Sequence, residues 1–145
     1  MTKQYRTKHF ILQELVHPKL YRDLGQRCWR YMDDRALRTL DALREFFGPA
    51  YCNTWHWWEM GKKVGGARFD SRGLRPFNDP DGATYSDHKF GDAFDLQFVR
   101  FSADHVRKYI LGHPDEFPYI TILEDDVNWL HFSVGNEDAI LIIKP

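Results

Sequence analysis

The sequence predicts an α+β fold in which a small antiparallel sheet is backed by helices. Three observations carry this expectation. Helix-spaced apolar stripes fall mainly in the first half of the chain, period-two alternation falls mainly in the second, and the two are not interleaved as βαβ units require. A chain of 145 residues and 17.3 kDa fits one domain, 1–145, and at this size folding buries roughly 70% of the unfolded surface. No internal repeat, low-complexity tract or long charge block divides it.

The elements follow in order. A short apolar run at 10–16 is broken by His17-Pro18, after which Leu20, Leu24, Cys28 and Tyr31 recur at helical spacing. Asp33 or Asp34 caps the next helix, whose Ala36, Leu37, Leu40, Leu43 and Phe47 form one stripe that ends at Gly48-Pro49. Over 51–85 periodicity fails. The segment carries Trp55-His56-Trp57-Trp58 and several glycines and prolines, and its aromatic run favours an ordered loop. Its 61–66 stretch lacks the spacing of a phosphate-binding loop. A strand is expected over 92–99, then a helix capped by Ser102 and closed by Gly112 and Pro114. Strands 119–124 and 129–134 form a hairpin around Asp125-Asp126-Val127-Asn128, and a last strand covers 139–143.

Composition excludes several classes of function. Twenty basic residues against 21 acidic leave a formal charge of −1, so no global field draws in nucleic acid. The N-terminal segment leads into only three consecutive apolar residues, Phe10 to Leu12, too few for a secretory leader or a membrane span. A chain made in the cytoplasm as a soluble protein, without a membrane partner, is the expectation. Cys28 and Cys52 make no disulfide framework and read as buried thiols. Aromatic residues make up 16% of the chain, with seven histidines besides, more than a core this size needs, so some line a cleft.

The chemistry lies in two strands that share a pattern. Phe94, Leu96 and Phe98 face one way and Asp95 the other, while Leu130, Phe132 and Val134 oppose Trp129, His131 and Ser133. If the apolar sides share a core, Asp95 and His131 project from one polar surface. His88, before the turn at Gly91, folds back onto them. Two imidazoles and a carboxylate suit Zn²⁺ and leave a fourth position open, the pattern of a catalytic site that activates water for hydrolysis. A general base is then required. With Asp126-Val127 as the turn, Glu124 pairs with Trp129 and shares the face of His131, which makes it the first choice. Asp126 and Asp125 are the alternatives if the turn is longer or bulged. His9, His17, His105 and His113 read as surface or hydrogen-bonded residues.

The stretch 86–95 fits the pattern SxHxxGxAxD, and Trp129-Leu130-His131 fits WxH. Together they resemble the zinc D-alanyl-D-alanine peptidase family, whose members include dipeptidases, carboxypeptidases and phage endolysins cutting L-alanyl-D-glutamate bonds. The resemblance implies zinc held by His88, Asp95 and His131, the fold shared with the hedgehog signalling domain, and a peptidoglycan peptide as substrate. Residues 10–15 and 43–48 resemble the opening of the family's small members more loosely. Many members carry the base three residues before the last histidine, where this chain has Asn128; an acid further upstream, as in the hedgehog domain, leaves Glu124 or a neighbour. Of the family's SGYR motif the nearest counterpart is Ser71-Arg72-Gly73-Leu74-Arg75, which makes Arg75 the substrate-binding arginine and Arg72 the runner-up. Ser86 caps a turn or orients His88. Trp57 and Trp129 are candidate cleft walls, although the 55–58 run equally fits a loop packed under its own rings. The expectation is a monomeric zinc peptidase, whose want of a secretory leader suits a phage lysis or tail protein, or an enzyme released by other means. A noncatalytic zinc module and a zinc amidohydrolase for a small substrate are its rivals.

Overall fold

The computed structural model describes residues 4–80, 83 and 85–145; the first three residues of the N-terminal segment lie outside them. The helices are α1 (Leu12–Leu15), α2 (Pro18–Leu24), α3 (Asp34–Phe47), α4 (Trp55–Glu59) and α5 (Ala103–Gly112). The strands are β1 (Ala50–Tyr51), β2 (Ala93–Phe98), β3 (Ile120–Glu124), β4 (Leu130–Val134) and β5 (Leu141–Ile143). They form one five-stranded sheet in the order β1-β2-β4-β3-β5, a mixed helix and strand architecture.

Sequence signals explain the principal elements. Asp33 accepts a hydrogen bond from the backbone N–H of Arg35 at the start of α3, and Gly48, at φ +88°, ends it. The stripe Ala36, Leu37, Leu40, Leu43 and Phe47 is buried against Phe94, Leu96, Leu130 and Phe132 on one sheet face. Ser102 caps α5 through the N–H of His105, and Val106 and Ile110 join the same core. Cys28 and Cys52 are free and buried.

Three local expectations are corrected. The helix after Pro18 changes character at Gly25, at φ +54°, so Cys28 and Tyr31 lie on a 3₁₀ segment, Gly25–Tyr31. The aperiodic loop contains α4, too short for periodicity to register; its Trp55 indole N–H donates to Val16 O at 2.9 Å. The sheet is not wholly antiparallel, because β5 runs parallel to β3. β5 lies on the edge of β3 away from β4 and so runs opposite in direction to β4.

The buried Arg107 of α5 shapes the connection between β3 and β4. Its guanidinium donates to Trp129 O at 3.0 Å and Val127 O at 2.9 Å, and its Nε lies 3.6 Å from an Asp125 carboxylate oxygen. Arg107→Met strips two carbonyls of a charged donor, so it is expected to lower unfolding free energy by roughly 2–4 kcal/mol in urea titrations.

Glu14 is a buried carboxylate that accepts from Ile11 N–H at 2.9 Å. Burial pushes its pKa from the usual 4.5 up to about 7, against the smaller opposing effects of that hydrogen bond and of Arg44. The folded state therefore holds this proton more tightly than the unfolded chain. The contribution is fully present below about pH 4.5 and is lost as pH rises through about 7. Glu14→Gln keeps an acceptor for Ile11 and removes the charge. The variant should match the parent in stability at pH 4 and exceed it by roughly 1–3 kcal/mol at pH 8 in chemical denaturation at both pH values.

Candidate metal centre

The site is built on the face of β2 and β4 that lies away from the α3 core. In this antiparallel pair Asp95 sits directly opposite His131, so register alone brings a carboxylate and an imidazole together. His88 arrives from a 3₁₀ turn, Asp87–Phe90, capped by the Ser86 hydroxyl, which accepts from His88 N–H at 3.3 Å. Gly91 closes that turn at φ +74°, and a Cβ there would overlap the carbonyl of Tyr31. Only glycine lets the turn swing back onto the sheet.

Segment 72–75 runs along the edge of β2 away from β4, held by Asp95 N–H to Arg72 O at 2.8 Å, Leu74 N–H to Leu15 O at 2.8 Å and Arg75 N–H to His88 O at 3.2 Å. Asn53 fixes the same segment by accepting from Arg72 N–H at 2.9 Å. His88, Asp95 and His131 are buried, at 4%, 6% and 8% exposure.

One nitrogen of each imidazole and one carboxylate oxygen lie within 4.8 Å of one another. Asp95 Oδ1 is 3.3 Å from His88 Nε2 and 2.8 Å from His131 Nδ1. A tetrahedral ion with bonds near 2.0–2.1 Å separates its ligand atoms by about 3.3 Å, so the spacing suits one. Burial would raise the Asp95 pKa, but the charge and hydrogen bonding of the two imidazoles outweigh it and hold the carboxyl well below the usual carboxylate range, ionised as a ligand must be. The His88 Nδ1 lies 3.1 Å from Gly73 O. A carbonyl only accepts, so Nδ1 carries a proton, which leaves Nε2 as the ring atom on the side of Asp95 that an ion can take. The group fits a metal ion in donor type and spacing.

A cleft of about 370 Å³ opens over these three donors; its walls include Arg75, Tyr85, Ser86, Asp87, Glu124 and Trp129. Glu124 reaches it through a bulge. Ile120 pairs with Val134 but Ile122 with Ser133, so Thr121 is an extra residue in β3. The shifted register pairs Leu123 with Phe132 and carries on to set Glu124 opposite His131. Without the bulge, Leu123 would face the metal donors and Glu124 the core. This corrects the turn-based register, which placed Glu124 opposite Trp129; the wider connection held by Arg107 displaces the pairing while the face of Glu124 is retained.

The remaining sequence candidates separate. Arg75 lines the cleft, its Nε donating to Ser71 O at 2.6 Å. Arg72 instead lays its guanidinium 3.4 Å from the centre of the Phe69 ring and donates to Gln97. Asp126 sits in the turn at φ +59°, pairs with Lys144 at 3.0 Å and belongs with Asn128 to a different cleft. Trp57 packs on His56 and Tyr51 and is not among the residues lining the metal cleft. His56 is buried, and among the described residues neither of its ring nitrogens has a hydrogen-bond partner.

Residues missed by sequence reasoning include Tyr85 and Ile143, which line the cleft, and the carbonyl of Gly73. Ile143 arrives through the parallel pairing of β5 and Gly73 through its backbone, neither of which leaves a local signal. No helix among the described residues is long and apolar enough to cross a membrane. Comparison of the chain with protein-family models, with curated proteins and with solved structures returns no match.

Proposed function

We propose that the chain is a zinc-dependent peptidase acting on the peptide stems of bacterial cell-wall peptidoglycan, with the hedgehog-like fold that its motifs resemble. The observation that carries this reading is the buried His88, Asp95 and His131 group at the base of a cleft whose walls present one carboxylate, Glu124, and one guanidinium, Arg75. A divalent ion bound there supplies a Lewis acid and lowers the pKa of water. The chain's own groups do the rest. Glu124 takes the proton from the attacking water and returns it to the leaving amine as the C–N bond breaks. Arg75 donates to a substrate carboxylate or to the oxygen on which charge develops. Ser86 and Trp129 line the peptide's path, Ser86 beside its turn at His88 and Trp129 as an aromatic wall.

Metal-replete protein incubated with purified sacculi is expected to release stem-peptide fragments identifiable by mass spectrometry. Intact stems with zinc bound would overturn the activity. Asn128, three residues before His131, favours a second reading, a noncatalytic zinc module. In that case chelation melts the domain while no peptide bond is cut. The peptidase reading carries with it a monomer and a route to the cell wall by phage lysis or in a virion.

A further inference from the structure

The two imidazoles of the metal group are held differently. His88 has an acceptor-only partner behind it, the Gly73 carbonyl, which keeps a proton on Nδ1 through a hydrogen bond. His131 has no carbonyl in that role. Its Nδ1 faces Asp95 Oδ1 at 2.8 Å and its Nε2 lies 3.2 Å from Ser133 Oγ, both bonds buried. A hydroxyl can donate or accept, so two arrangements are open to the ring. With the proton on Nδ1, His131 is a donor to Asp95 and useless as a ligand. With the proton on Nε2, the lone pair of Nδ1 points into the metal group, and Ser133 must accept.

We propose that Ser133 is a positioning residue that holds the proton of His131 on Nε2 and thereby presents Nδ1 to the ion. The inference rests on the metal-centre reading. Ser133 lies two residues after His131 on the same strand face, 1% exposed and paired in the backbone with Ala93 and Ile122, so packing confines its side chain. Ser133 Oγ is the partner the structure gives Nε2, and without that hydroxyl an N–H there would lose it. Outer partners of this kind orient a ligating histidine and raise its basicity.

The test uses the full chain labelled with ¹⁵N-histidine, with and without one equivalent of Zn²⁺, together with Ser133→Ala and Ser133→Thr. Long-range ¹H–¹⁵N spectra of the zinc-loaded parent are expected to show the His131 proton on Nε2. Competition with a chromophoric chelator is expected to show zinc binding weakened roughly 10- to 100-fold in Ser133→Ala and restored in Ser133→Thr, while metal-free thermal melts of Ser133→Ala stay close to the parent. A proton on Nδ1 of the zinc-loaded parent would overturn the proposal, whatever the folding of the variants. So would parent-like zinc affinity in Ser133→Ala. A parent that takes up no zinc overturns the proposal together with the metal reading, whereas a parent that binds zinc beside an unaffected Ser133→Ala overturns the role of Ser133 alone.

Discussion

His131→Ala is expected to lower zinc affinity at least ~100-fold and to abolish hydrolysis of peptidoglycan stems, with His88→Ala behaving alike. Loss of an outer partner alone typically costs 10- to 100-fold in affinity, and loss of a ligand removes both the bond and the geometry. The two substitutions act on one short list of atoms: Nε2 of His88, Oδ1 of Asp95 and Nδ1 of His131. Removing either imidazole leaves the carboxylate with one basic neighbour in a buried setting, so the remaining pair no longer encloses an ion. The core face of the sheet, formed by Phe94, Leu96, Leu130 and Phe132, is untouched. Chelator competition measures the first effect, and far-UV circular dichroism of the metal-free variants should show that the fold persists. Parent-like zinc binding in both variants would place the ion elsewhere.

Glu124→Gln is expected to reduce turnover roughly 10²- to 10⁴-fold, the usual contribution of a positioned proton acceptor, while zinc affinity stays within a few-fold of the parent. The amide preserves shape and hydrogen bonding but has no basic oxygen. Glu124 is argued as base from its place: the Thr121 bulge turns it to the side of His131, and it lines the same cleft as the three donors. Asp126→Asn serves as the control, because that side chain pairs with Lys144 and belongs to the other cleft. Its turnover should fall by less than about threefold, since that pair is exposed. Initial rates of stem cleavage by mass spectrometry decide between them. A collapse in Asp126→Asn with full activity in Glu124→Gln would reverse the assignment.

The extent to which these features are legible in the sequence follows from the range of the forces that set them. The stripe of α3 and the alternation of β2 and β4 are local periodicities, and both appear in the structure where the pattern puts them. The His88, Asp95 and His131 group is legible because a strand's period of two fixes the facing of Asp95 and His131, and one glycine turn returns His88 to them. What backs the group is not legible. Segment 72–75 is pinned by backbone hydrogen bonds to Leu15, His88 and Asp95, and main-chain partners carry no side-chain signature. The parallel strand β5 and the bulge at Thr121 depend on pairing across the sheet, so the face of Glu124 could be read correctly from a register that the structure then displaced. Arg72 and Trp57, reasonable by residue type, are occupied by Phe69 and by His56 with Tyr51, contacts set by the folding of the long loop.

The most direct measurement is anomalous diffraction at the zinc edge from crystals of the zinc-loaded protein. One peak bonded to His88 Nε2, Asp95 Oδ1 and His131 Nδ1, with its remaining position facing the cleft of Glu124 and Arg75, is the expected result. No peak at these three atoms, or an ion held at other side chains, would contradict it.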